Sequence, residues 1–242
     1  NLAREPERLI DDCLLLGEVA VHRGDYVEAM RQYQRVRECG ENGRWLAYLS
    51  EAQLLHLWGR RTEAERAGRR AAELAPRDPI TGAVVALARA AMAYDDDPRA
   101  ARALLEPALD APSPEPRFGV RRSALAAMTA AALGDDPGHW LDDIAAARRT
   151  FGHDHLLLAD LDDAEGEIAW HRGDYSNAAL HFQAAILRPC QALLTPQIQL
   201  RLADCMARLG ADGTPWLQRA ADFGVPMAAE EAAQRRLSGA TS

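Results

Sequence analysis

Apolar and polar positions follow one order again and again along this chain: an apolar helical stretch, a tight turn, then an amphipathic helical stretch. The repetition is clearest where Gly17–Tyr26 returns 149 positions later as Gly166–Tyr175, with eight of ten residues identical. The turns centre on Gly24, Gly59, Asp96, Gly134, Gly173 and Gly210, spaced 35 to 39 residues apart. Spacing of this kind is the mark of a repeat protein, in which each unit buries its apolar face against the next. The pattern predicts six helix pairs, over residues 7–41, 45–77, 80–110, 117–150, 156–190 and 196–223, within one domain spanning 1–242. A further helix over 227–238, rich in Ala and Glu, would cap the last exposed apolar face.

Local chemistry supports these boundaries. Asp25 with Glu28, and Thr62 with Glu65, read as capping boxes. Asp97-Pro98, Asp136-Pro137 and Thr214-Pro215 place proline at the first helical position after a cap residue, and Asp174 supplies a cap in the fifth unit. The proline-rich run Asp110–Pro116 cannot continue a helix and reads as a loop between units three and four. β-branched residues are sparse, which weighs against strands.

The motif resembles the tetratricopeptide repeat. Its series of small residue, turn glycine, alanine, aromatic and small residue stands here as Gly17, Gly24, Ala29, Tyr33 and Val36. It returns as Ala52, Gly59, Ala64, Gly68 and Ala71 with Pro76 closing the unit, and as Gly166, Gly173, Ala178, Phe182 and Ala185. Unit five departs from the pattern at Asp162 and Glu165, where the family is usually apolar. The resemblance implies an all-α, right-handed superhelix, a solenoid of about six helix pairs with a C-terminal capping helix. Repeats of this length resemble those of large bacterial regulators more than short co-chaperone arrays.

The resemblance also marks the first helix of each unit as lining a concave groove. Carried over position by position, the groove residues are Glu18, Val21 and His22 in unit one, then Leu49, Gln53 and His56 in unit two. Unit five supplies Asp163, Glu167, Trp170 and His171, and unit six Leu200 and Asp204. The Lys/Asn set by which some relatives hold a C-terminal carboxylate is missing from these positions. Acids beside apolar and aromatic residues point instead to a basic or amphipathic peptide, with Trp170 as the anchor. The structural alternative is that Trp170 packs against unit six.

Charge and composition narrow the remaining chemistry. A formal net charge of −8 argues against general binding of a phosphate backbone, so no direct nucleic-acid role is expected. All 28 basic residues are arginine, which removes Schiff-base chemistry and the phosphate-loop lysine. Cys13, Cys39, Cys190 and Cys205 are scattered and form no C-x-x-C pair, pointing to reduced, structural thiols and a cytoplasmic setting. No 18-residue apolar run calls for membrane insertion. The chain opens on Asn1, which reads as one domain of a longer protein.

Nothing in the sequence looks catalytic, and no cofactor pattern is present. His153-Asp154-His155 lacks a third metal ligand at a suitable spacing. Asp142-Asp143 and Asp162-Asp163 read as solvated helix faces, adjacent residues on a helix pointing about 100° apart. Arg60, Arg61, Arg66, Arg69 and Arg70, interleaved with Glu63, Glu65 and Glu73, read as a salt-bridged outer face. The expectation is therefore a non-enzymatic scaffold that binds a protein or peptide in a helical groove. The alternative is an effector-sensing or oligomerisation domain of a bacterial transcription regulator, binding a small molecule. The oligomeric state is left open.

Overall fold

The computed structural model describes residues 4–40, 43–188 and 195–222, without the side chains of residues 4–7, 22, 195 and 196. All regular structure among the described residues is helical. The elements are α1 (Arg4–His22), α2 (Tyr26–Cys39), α3 (Arg44–Leu57), α4 (Arg61–Leu74), α5 (Pro79–Tyr94) and α6 (Pro98–Leu109). They continue as α7 (Pro116–Ala132), α8 (Gly138–Thr150), α9 (His155–His171), α10 (Tyr175–Leu187), α11 (Thr195–Arg208) and α12 (Thr214–Asp222). The expected helix over 227–238 and Cys190 lie outside the described residues.

Each odd-numbered helix packs on the even-numbered helix that follows it, and α3, α5, α7 and α9 are also in successive contact. α3, α5, α7 and α9 therefore share one face of the protein, which α11 joins through side-chain bonds to α9. Small residues make the pairing close. A Cβ on Gly17 would lie 2.4 Å from Tyr33 Cε1, and one on Gly166 would lie 2.6 Å from Phe182 Cε1. The aromatic ring of the second helix thus occupies the volume that a side chain on the first would need. Tyr26 carries the packing into the next pair, meeting Trp58 edge-on at 5.6 Å.

Five of the six turns close in the same way. Gly24, Gly59, Gly134, Gly173 and Gly210 have φ between 72° and 77°, a left-handed conformation that glycine adopts without steric cost. The next residue donates its N–H five residues back, as in Asp25 N to Ala20 O and Asp174 N to Ala169 O. The turn of unit three has no glycine and differs. Asp95 stays right-handed, with φ −63° and ψ −31°, and both Asp96 N and Asp97 N bond to Ala93 O. Asp96 is therefore not the geometric counterpart of the turn glycines, because a left-handed aspartate there would carry a penalty glycine does not.

Asp25, Asp97 and Asp174 cap their helices as expected, as do Asp78 and Asp154. Three expected starts shift. α4 begins at Arg61, so Thr62 lies inside its first turn, and Arg60 reaches the Glu63 carboxylate instead. Pro137 occupies the N-cap of α8, with Asp136 accepting from Gly138 N. Asp212, not Thr214, holds the start of α12 by accepting from Thr214 N.

The odd acids of unit five also have an account. Asp162 is buried, not solvated: it accepts from Arg148 at 2.5 Å and from Arg188 at 2.6 Å, and Arg148 also reaches Glu165. An ionic joint between α8, α9 and α10 stands where the repeat pattern would place apolar packing. Cys13, Cys39 and Cys205 are free thiols, and no described helix is long and apolar enough to cross a membrane.

The glycine contacts give a paired test. Gly166→Leu overpacks against Phe182 and is expected to lower unfolding stability by about 1–3 kcal/mol. Gly82→Ala, at an exposed position of α5 with open space around its Cβ, should raise it by roughly 0.5–1 kcal/mol. Denaturant melts of both variants check this, and an unchanged Gly166→Leu midpoint would show that the helix pairing is misplaced.

Candidate polar site on the face of the odd-numbered helices

Residues far apart in the chain converge where α5 ends. Tyr94 is the last residue of α5, and Asp95 follows in the glycine-free turn. α9 presents Asp160, Asp163, Glu167, Trp170 and His171 at spacings of three, four and seven, which keep them on one helical face. α11 adds Gln197, Arg201, Asp204 and Arg208, and α3 contributes His56.

Glu167 organises the centre. Its side chain is only 5% exposed, and both of its carboxylate oxygens are engaged. Arg201 Nε donates to Oε1 at 2.6 Å, and the Tyr94 hydroxyl donates to Oε2 at 2.9 Å. The same hydroxyl lies 2.9 Å from His171 Nε2. Because that hydroxyl has one proton and spends it on Glu167, the histidine must donate in turn, which assigns its proton to Nε2. Burial pushes the Glu167 carboxyl above its usual range, while Arg201 opposes the shift. Burial, with Arg201 nearby, pushes His171 down to about 4, so the imidazole is neutral at physiological pH.

Asp95 joins α5 to α11 and α3. Gln197 Nε2 donates to its Oδ2 at 3.0 Å, Arg201 lies 3.6 Å from Oδ1, and His56 Nε2 lies 3.5 Å from Oδ2. Trp170 is already engaged. Its Nε1–H donates to Asp204 at 2.7 Å, and Arg201 and Arg208 lie over its ring at 4.6 and 5.3 Å. Arg208 also bonds Asp204 at 2.8 Å, which completes the contact between α9 and α11.

The twelve groove positions thus separate, with Val21 buried and Leu200 half-buried. His56, Glu167, Trp170, His171 and Asp204 take part in the polar network, and Asp163 stands beside it. Trp170 packs on unit six, so its anchoring surface is covered from within. Glu167 is neutralised by Arg201 and is not an open acid. Leu49 is buried among Ala71 and Val85 and cannot touch a partner directly. Glu18 is exposed on α1, Gln53 is half-buried on α3, and the His22 side chain lies outside the described residues. Sequence reading missed Tyr94, Asp95, Gln197 and Arg201. Their signal was the turn that breaks the glycine pattern, together with an arginine on the groove face of unit six.

Other candidate chemistry is spoken for. Asp154 caps α9 and pairs with Arg117 at 2.7 Å. Asp162, Glu165 and His181 lie close enough together to suggest a cation site, but Arg148 and Arg188 already supply the positive charge there. On α4, Arg60 pairs with Glu63, Arg69 with Glu65 and Arg70 with Glu73, a ladder along the outer surface.

Comparison of the chain with protein-family models, with curated proteins and with solved structures found no match.

Removing Arg201 alone strands a buried carboxylate. Arg201→Met is expected to cost roughly 3–5 kcal/mol in a thermal or denaturant melt, and Arg201→Met with Glu167→Met should recover much of that loss. His171 gives a pH signature. Its folded pKa of about 4 lies below the ordinary 6.5, so the unfolded chain takes up a proton first as pH falls. The stability it contributes is complete above pH 6.5 and is lost as pH drops to about 4. Between those limits the wild-type protein should lose roughly 2–4 kcal/mol more than His171→Gln, measured by melts across the range.

Proposed function

We propose that this chain is a non-enzymatic interaction module of the tetratricopeptide type. Its helix pairs wind into a superhelix, and the face of the odd-numbered helices is the concave groove for a partner protein or peptide. The observation that carries the reading is the convergence of α3, α5, α9 and α11 on one polar surface, where hydrogen-bonded residues lie up to 102 positions apart in the chain. A surface assembled from so many units is pre-organised, and a docking segment loses its own freedom without ordering the scaffold. Support comes also from the close glycine–aromatic pairing in units one and five, which stiffens those helix pairs.

The basic-peptide idea takes a different form on this geometry. Glu167 and Trp170 are engaged internally, so recognition falls to positions still open on the same face: Glu18, Gln53 and Asp163. A second reading, the effector-sensing or oligomerisation domain of a transcription regulator, draws on the bridge between Tyr94 and α9. A bridge built of hydrogen bonds and ion pairs has an open alternative, and a ligand that favours one state shifts the population.

Site-specific photo-crosslinking tests the groove. A benzoyl-phenylalanine placed at Glu18 or at Gln53 should capture a discrete partner from the source cell, while one at Glu65 on the outer surface should not. Adducts formed equally from Glu65, or from neither inner position, overturn the reading.

A further inference from the structure

One side of α1 carries an apolar stripe left open to solvent. Leu9, Leu15, Leu16 and Val19 are 37–60% exposed, four of the ten large apolar side chains exposed among the described residues, so the patch is concentrated on this helix. Leu9, Asp12, Leu16, Val19 and Arg23 recur at spacings of three and four, which aligns them along one side of the helix. The internal repeat shows what this side does. A shift of 149 positions carries Leu9, Asp12 and Val19 onto Leu158, Leu161 and Ile168 of α9. Those three share a buried cluster with Ala124 and Ala127 of α7 and with Ile144 and Ala147 of α8, the preceding helix pair. The corresponding side of α1 is therefore a stacking face.

We propose that α1 forms the contact of a twofold-symmetric dimer, with a second copy of this chain laid antiparallel on the stripe. Charge complementarity selects that occupant. Asp12 and Arg23 are exposed, and neither side chain has a hydrogen bond or ion pair among the described residues. With the twofold axis passing between residues 17 and 18, Leu16 of each copy meets Val19 of the other, and Asp12 of each meets Arg23 of the other. The apolar pairs supply the attraction and the two ion pairs fix the register. A parallel pairing would set Asp12 against Asp12 and Arg23 against Arg23. Sliding the antiparallel pair by two helical turns would cover Asp12 with Leu16 and leave its charge unpaired. The stripe thus complements itself in one register, as an isologous contact requires. A stacked helix pair makes no such demand, and α9, which has one, carries Leu161 where α1 carries Asp12. The contact uses none of the residues assigned to the docking groove and is independent of the groove-docking function.

Sedimentation velocity of the full chain over a series of concentrations reads the contact. A reversible monomer–dimer equilibrium is expected. Leu16→Gln with Val19→Gln removes the apolar pairs and should weaken dimerisation at least tenfold. Asp12→Arg alone sets like charges face to face and should weaken it by a similar factor, whereas Asp12→Arg combined with Arg23→Asp should restore it. All four side chains are exposed, so these variants should keep the melting temperature of the dilute wild-type monomer, and folded proteins are available for the comparison. A chain that stays monomeric up to about 1 mM overturns the dimer and leaves the stripe to a different segment or partner. A dimer indifferent to these substitutions, or a double charge exchange as weak as Asp12→Arg alone, overturns it as well. The docking function fails separately, because loss of the Gln53 crosslinks leaves the dimer standing and a monomeric chain leaves the crosslinks standing.

Discussion

The buried carboxylate of Glu167 is the constraint on which the arrangement of the inner face depends. A carboxylate taken out of water must be met by donors, and this one draws them from two other helices. Arg201 comes from α11 and Tyr94 from the end of α5, and His171, one turn further along α9, meets the Tyr94 hydroxyl in turn. Satisfying one group therefore fixes the position of α5 relative to α9 and α11, across the intervening unit. Apolar packing alone would leave that relation looser, since hydrophobic contact is not directional.

The same logic sets the ionic joint at α8, α9 and α10. Asp162 and Glu165 interrupt an apolar repeat position, and Arg148 and Arg188 compensate. Arginine suits both places, because its planar fork meets two carboxylates at once and keeps its charge when buried. A chain whose basic residues are all arginine can build such joints repeatedly. The inner face then consists of charges already paired with one another, beside a few left open. That division separates groups that hold the protein together from groups with no hydrogen bond or ion pair among the described residues.

Much of the local structure was legible in the residues themselves. The glycine turns were visible because left-handed backbone is a property of a single residue, and five of them have the expected positive φ. Gly17 and Gly166 were legible for a related reason: a missing side chain opposite an aromatic signals close approach, and Tyr33 and Phe182 fill that space. Cap positions were less secure. Thr62 and Thr214 have the right chemistry, but Thr62 stands two residues past the N-cap of α4 and Thr214 is itself the first residue of α12, because where a turn closes depends on backbone geometry that neighbours share. Within the site, His56, Glu167, His171 and Asp204 were grouped by the family resemblance, and the structure brings them into one polar network. Their occupation was not visible, since a partner 34 or 73 residues away leaves no mark on local pattern.

By itself, then, the amino-acid order determined the helices, their alternation and the faces they turn inward. Each of these follows from interactions between residues a few positions apart or from a fixed helical period. Only the tertiary structure decided which polar groups on that inner face are spent and which are open. Glu167 and Trp170 look available on a helical wheel and are engaged, while Asp163, one turn before Glu167, is not. The difference lies in whether a donor from another helix reaches the atom. That is a matter of distances in space, set by how successive helix pairs stack, and no local property of the residue encodes it.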